Sequence, residues 1–244
     1  MTRGMVWCLR FFWPLVFYEL AGEAVRASFP GHMWIAFFGG AVVSIPVFYA
    51  VWRWRQGCMV QHVPFGAEDA NPETEDAAPS MSSVPSTSVP SKNGGLPKAA
   101  PQKLAFRFTE GFLLGVALNF VLIFTGLDRY AGHYEQAAAE MFSMPLMLQV
   151  LGTCIAAPMA EELMFRALAY GQLAKTWPAP APAIVSALYF GAAHGNPAQG
   201  LYGFLMGLFL ADSYEKDGLG GSFALHMGAN AAGVVLALVF GQGV

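Results

Sequence analysis

Charge is scarce in this chain. Of its 244 residues only 12% are Asp, Glu, Lys or Arg, while 55% are hydrophobic. An ordinary soluble domain carries roughly a quarter charged residues, so the deficit points to lipid as the surrounding medium. The formal net charge is −3, and the chain lacks the clustered Lys and Arg needed to neutralise phosphates, so nucleic acid is not an expected partner. Cysteine is equally sparse. Cys8, Cys58 and Cys154 lie far apart with no CxxC spacing, which supports neither a disulfide framework nor a zinc finger. No repeat of solenoid period is visible either.

What the chain has instead is long apolar runs. A helix needs about 20 mostly apolar residues to cross a bilayer, because its backbone polar groups must be satisfied within the segment. Such runs occur at Met33 to Trp52, Gly111 to Leu127 and Phe223 to Phe240, with a weaker one from Met5 to Ala21 that contains Arg10 and Glu19. This first run also has features of a signal peptide, an early Arg3 and small residues near Ala21 to Ala24. Arg10 and Glu19 interrupt the apolar stretch and favour a retained helix. Shorter apolar stretches follow at Met141 to Ala160, Pro182 to Ala193 and Gly200 to Ala211. The expected fold is all-α, a multi-pass transmembrane helical bundle of about seven segments. Gly203 and Gly207 form a small-xxx-small pair suited to close helix packing in lipid.

Between these runs the composition shifts. From Gln56 onward the chain is rich in Pro, Ser, Ala, Asn, Gly and acidic residues, including Met81 to Pro90, a composition that cannot bury a core. The organisation read from this is a helix pair at 1–55, a disordered linker at 56–106, and a catalytic-type core at 107–244. Arg53 and Arg55 precede the linker, and Lys98, Lys103 and Arg107 follow it. The positive-inside rule places the linker and the N-terminus in the cytoplasm.

Within the core, proton-active side chains interrupt apolar segments in three places. Glu161, Glu162 and Arg166 follow the run that ends at Ala160, and each charge costs about 2.5 to 3.5 kcal/mol on insertion scales if left alone at the bilayer centre. Glu162 and Arg166, four apart, stack on one helical face and can pair. Glu161 points about 100° away and is left as the better candidate base. His194 closes the apolar run through Phe190, and His226 and Asn230 share one face of the last segment. Glu161 with His194 suits removal of a proton from water. His226 and Asn230 suit stabilisation of an oxyanion. The remaining histidines, His32, His62 and His133, fall in expected loops. Taken singly, each histidine has a structural reading and the glutamate pair reads as an interfacial charge cluster. It is their occurrence in three separate apolar segments that points to chemistry.

At these residues the sequence resembles the CPBP family, the CAAX prenyl proteases and bacteriocin-processing enzymes, whose motifs run EExxxR, FxxxH and HxxxN. All three appear in order, at Glu161 to Arg166, Phe190 to His194 and His226 to Asn230. The resemblance covers roughly residues 110–240 and leaves out the N-terminal helices and the linker. It implies an endopeptidase in the membrane, expected to be the bacterial cytoplasmic membrane. Its substrate would be a peptide or protein with a membrane-embedded or lipidated segment, and its other partner the membrane lipid. It further implies that Glu161 and His194 activate the attacking water, that His226 and Asn230 hold the oxyanion, and that Glu162 and Arg166 support them. The mechanism implied is of glutamic type without a cofactor. Zinc held by Glu161, His194 and His226 is the alternative that residue types allow. Two other readings of buried Glu, His and Arg are a proton-coupled transporter, for which the internal symmetry is missing, and a silent scaffold of the same family.

Overall fold

A computed structural model of the chain describes residues 3–30, 33–60, 99–127 and 144–240. The linker at 61–98, with Met81 to Pro90 and Lys98, lies outside the described residues, as do His32, His62, His133 and the start of the run at Met141. Among the described residues there are six helices and no strand. They are α1 (Arg3–Ser28), α2 (Met33–Val60), α3 (Pro101–Thr125), α4 (Leu146–Leu173), α5 (Ala181–Ala192) and α6 (Pro197–Phe240). Three of them, α3, α4 and α6, are long and apolar enough to cross a membrane. The outward faces agree with that: Phe124 is 95% exposed, and Leu113, Leu188, Leu238 and Val239 are also exposed. The chain is an integral membrane protein.

The segments read separately at Gly200 to Ala211 and Phe223 to Phe240 are the two helical arms of α6, which is broken at Gly218. There the backbone adopts φ 69° and ψ −165°, open to glycine and strained for other residues. The two arms, 197–217 and 219–240, leave the bend in different directions. The bend is held by Asp217, which accepts from Lys103 at 3.1 Å and from Arg107 at 2.8 Å across the start of α3. Arg107 also pairs with Glu110 at 2.7 Å. α2 runs on to Val60, and α3 starts at Pro101, where a proline needs no N–H partner.

Glycine sets the closest helix contacts. A Cβ on Gly111 would stand 1.8 Å from the Leu225 carbonyl oxygen, and one on Gly228 2.0 Å from that of Phe108. Gly115 faces Ala229 in the same register, so α3 and the second arm of α6 run parallel, backbone against backbone. Gly203 and Gly207, the pair noted in the sequence, let the first arm approach α5 at Gly191 and Ala187. We expect Gly111→Val to lower stability in detergent by at least about 1 to 3 kcal/mol through overpacking against fixed backbone. Gly233→Ala, where nothing lies within 4 Å of the added carbon, is the neutral control. Equal thermal unfolding curves for the two variants would refute this packing.

Two lengths place the chemistry. α4 continues through Glu161 and Glu162 to Leu173, 28 residues or about 42 Å, so the glutamates sit near its middle. α5 has only 12 residues, about 18 Å against a bilayer core of about 30 Å. His194, just past its end, is therefore carried only part-way through the membrane. Read as simple crossings, the apolar runs ending at Ala160 and Ala193 put Glu161 and His194 near opposite ends of successive helices. The long α4 and short α5 remove that conflict.

Candidate active site

The helix that carries the glutamates is not a uniform α-helix. Val150–Ala156 and Glu162–Tyr170 are wound as π-helix around a short α-helical turn, Ala157–Glu161. Such widened turns are frequently found at functional sites. Pro158 contributes to the irregularity, since it has no N–H to give to the carbonyls four and five residues earlier, those of Cys154 and Thr153. The Thr153 carbonyl is instead taken by Asn230, whose Nδ2 donates to it at 2.7 Å. One of Asn230's two N–H bonds is thus committed to α4, which fixes the orientation of the amide.

Four residues after the proline the charges begin. Glu162 and Arg166 are both 0% exposed and stand 3.5 Å apart, the pair that their spacing suggests. Glu162 also accepts from His226, Nδ1 to Oε1, at 2.9 Å. On the other side of the same ring, His226 Nε2 lies 3.5 Å from Oε2 of Glu161. The His226 imidazole is therefore bracketed by two carboxylates. Glu161 differs from its neighbour in access, with a side chain 19% exposed. Arg166 reaches further, donating from Nη2 to the Gly207 carbonyl at 3.3 Å and so joining α4 to the first arm of α6.

Phe190 is the hub on which these groups pack. The Arg166 guanidinium lies over its ring at 4.6 Å. The rings of His194 and His226 meet it in T-shaped contacts, at 4.9 Å and 5.6 Å. His194 Nδ1 is 2.8 Å from the Phe190 carbonyl. A carbonyl only accepts, so Nδ1 carries the proton and the neutral ring presents the lone pair of Nε2. Gly203 makes room for this ring, since a Cβ there would stand 3.2 Å from Nδ1. No direct hydrogen bond joins His194 to Glu161 among the described residues.

Glu161, Glu162, Arg166 and His226 are thus linked by direct contacts, Asn230 is tied to α4 through the Thr153 carbonyl, and His194 joins them through Phe190. The stretch that holds them all, residues 143–232, matches the family model of type II CAAX prenyl endopeptidase Rce1-like proteins. The similarity to that family is confined to this stretch. No curated protein and no solved structure matches the chain. The family is one of proteases, in keeping with the resemblance carried by the three motifs.

The zinc alternative would need Glu161, His194 and His226 to converge on one point. Among the described residues no group of three or more His, Cys, Asp or Glu side chains is arranged to hold a metal ion. Glu161, His194 and His226 do not form such a set. One contact of the site was not anticipated from sequence, that of the Thr153 carbonyl, which could have been found from Pro158, since a proline orphans a carbonyl upstream.

Proposed function

We propose that the protein is an intramembrane endopeptidase of glutamic type, acting on a peptide whose lipidated or membrane-embedded segment is presented from the bilayer. The observation that carries this reading is a partly accessible carboxylate, Glu161, 3.5 Å from a buried imidazole inside an apolar bundle. A lone carboxylate at that depth is costly and marks function. Glu161 and the Nε2 lone pair of His194 accept hydrogen bonds from one water. The water oxygen attacks the scissile carbonyl carbon, and its proton passes to Glu161. The carbonyl oxygen, now an oxyanion, accepts from His226 Nε2–H and from the second N–H of Asn230. Glu162 holds the opposite edge of His226 by accepting from Nδ1–H. Glu161 then returns the proton to the leaving nitrogen as the C–N bond breaks. This chemistry uses no metal.

The family description suggests the substrate class, a prenylated C-terminal CAAX peptide. Charge suggests the orientation. Lys103, Arg107 and Lys216 gather around Asp217 at one end of the bundle. Lys175 follows α4 at that end, where burial together with Arg55 and Arg10 holds its ammonium below the ordinary lysine range. Trp7 and Trp177 stack beside it at 6.1 Å, as interfacial aromatics do. We place this end in the cytoplasm. The test is cleavage of a panel of membrane peptides, including a farnesylated CAAX peptide, by purified protein in detergent with and without chelator. His194→Ala is expected to lose about 100-fold or more in kcat, the contribution of a positioned acid–base group. Loss of activity on chelation and its return with zinc would overturn the metal-free mechanism.

A further inference from the structure

The Rce1-like match begins at residue 143, yet the N-terminal hairpin is packed onto the helix that carries Glu161. α2 lies directly against the turn Ala157–Glu161, and α1 touches the π-helical turn that follows. Phe38 of α2 fills the space over Gly152. The hairpin itself closes at Gly22 and Gly40, where a Cβ on Gly40 would stand 3.0 Å from the Gly22 backbone. One turn before Gly22 is Tyr18, whose ring packs with Met159 against the core. Its hydroxyl oxygen is buried and has no hydrogen-bond partner among the described residues. The cluster that Tyr18 packs against includes Leu163 and Met164, on the turn that follows Glu161.

A buried phenol that gives its proton to nothing is an anomaly, because buried hydroxyls almost always find a partner. Here the donor stands on the hairpin packed against the helix that carries Glu161, a carboxylate with unused acceptor capacity. A direct bond is not formed, and a polar contact beyond hydrogen-bond distance is the situation in which one water serves as the bridge. Building on the assignment of Glu161 as the base, we propose that Tyr18 is a positioning residue for the hydrolytic water. Its O–H donates to the water, and the water donates to Glu161, leaving a lone pair for attack. The N-terminal hairpin would then complete the site rather than merely flank the domain.

Two measurements test this. A high-resolution structure of the full chain is expected to show a water within hydrogen-bond distance of both Tyr18 Oη and a Glu161 carboxylate oxygen, and Tyr18→Phe is expected to lose it. Absence of the water in the wild type, or its persistence in the variant, overturns the proposal. With a farnesylated CAAX peptide as probe, Tyr18→Phe should lower kcat about 2-fold to 10-fold, the span of a hydrogen bond between neutral groups, with KM unchanged. Its melting temperature should not fall, since the hydroxyl has no protein partner to lose. Full kcat in Tyr18→Phe alongside an inactive Glu161→Gln overturns the role of Tyr18 alone. Activity retained in Glu161→Gln overturns the assignment of Glu161 as the base instead, and the water is still decided by the structure.

Discussion

Glu161→Gln should purify and melt like the wild type while cleaving peptide at least about 100-fold and up to 10,000-fold more slowly, the range that a general base contributes. The stability half of this expectation follows from its surroundings. The side chain is 19% exposed and makes one charged contact, 3.5 Å to His226. Replacing a carboxylate by an isosteric amide removes a charge from an apolar bundle, and Glu162 stays in contact with both Arg166 and His226. The activity half follows from chemistry. An amide cannot take the proton that the attacking water must lose. Single-turnover cleavage alongside a thermal unfolding curve reads both. A variant that is folded and still active at wild-type rate would remove Glu161 from the mechanism, and one that fails to fold would show that its charge is structural.

The all-α membrane bundle was legible because hydropathy reports it directly: the run from Gly111 lies in α3 up to Thr125, and that from Phe223 to Phe240 in α6. Less legible was where α4 ends. A run of small and apolar residues followed by Glu161, Glu162 and Arg166 reads as a helix reaching the interface, since single charges belong there. In the fold the charges neutralise one another inside, Glu162 against Arg166 and His226, and the helix carries on to Leu173. Hydropathy sums residues one at a time and cannot register such mutual compensation.

The candidate site divides in the same way. The i,i+4 relation of Glu162 and Arg166 is local, and a sequence displays it. That Glu162 also meets His226, 64 residues on, is a product of topology. Asn230 shows the limit from the other side. Its residue type suits an oxyanion donor, but its bond to Thr153 depends on a proline in a different helix and on the π-helical winding there. The contribution of Tyr18 was invisible for a similar reason, as a tyrosine in an apolar run is ordinary until its hydroxyl is found buried and unpaired.

The second large effect concerns the buried pair. Glu162→Gln is expected to destabilise the protein by about 3 to 5 kcal/mol, the magnitude seen when one partner of a buried ion pair is removed. Arg166 would be left charged and 0% exposed, with Nε and Nη1 already lacking hydrogen-bond partners among the described residues. Its remaining supports would be the Gly207 carbonyl at 3.3 Å and the face of Phe190. Arg166→Met should cost less, because Glu162 keeps His226 at 2.9 Å as an alternative partner. The double variant Glu162→Gln/Arg166→Met carries neither charge and should recover much of the loss, as replacement of whole buried pairs by neutral groups often does. A double-mutant cycle by denaturation in detergent measures this directly. Additive losses in the double variant would mean that the two side chains act independently and that the buried pair does not hold α4 in place. Strong positive coupling would mean that the charges are tolerated at this depth because each answers the other, leaving Glu161 as the carboxylate of the motif free for chemistry.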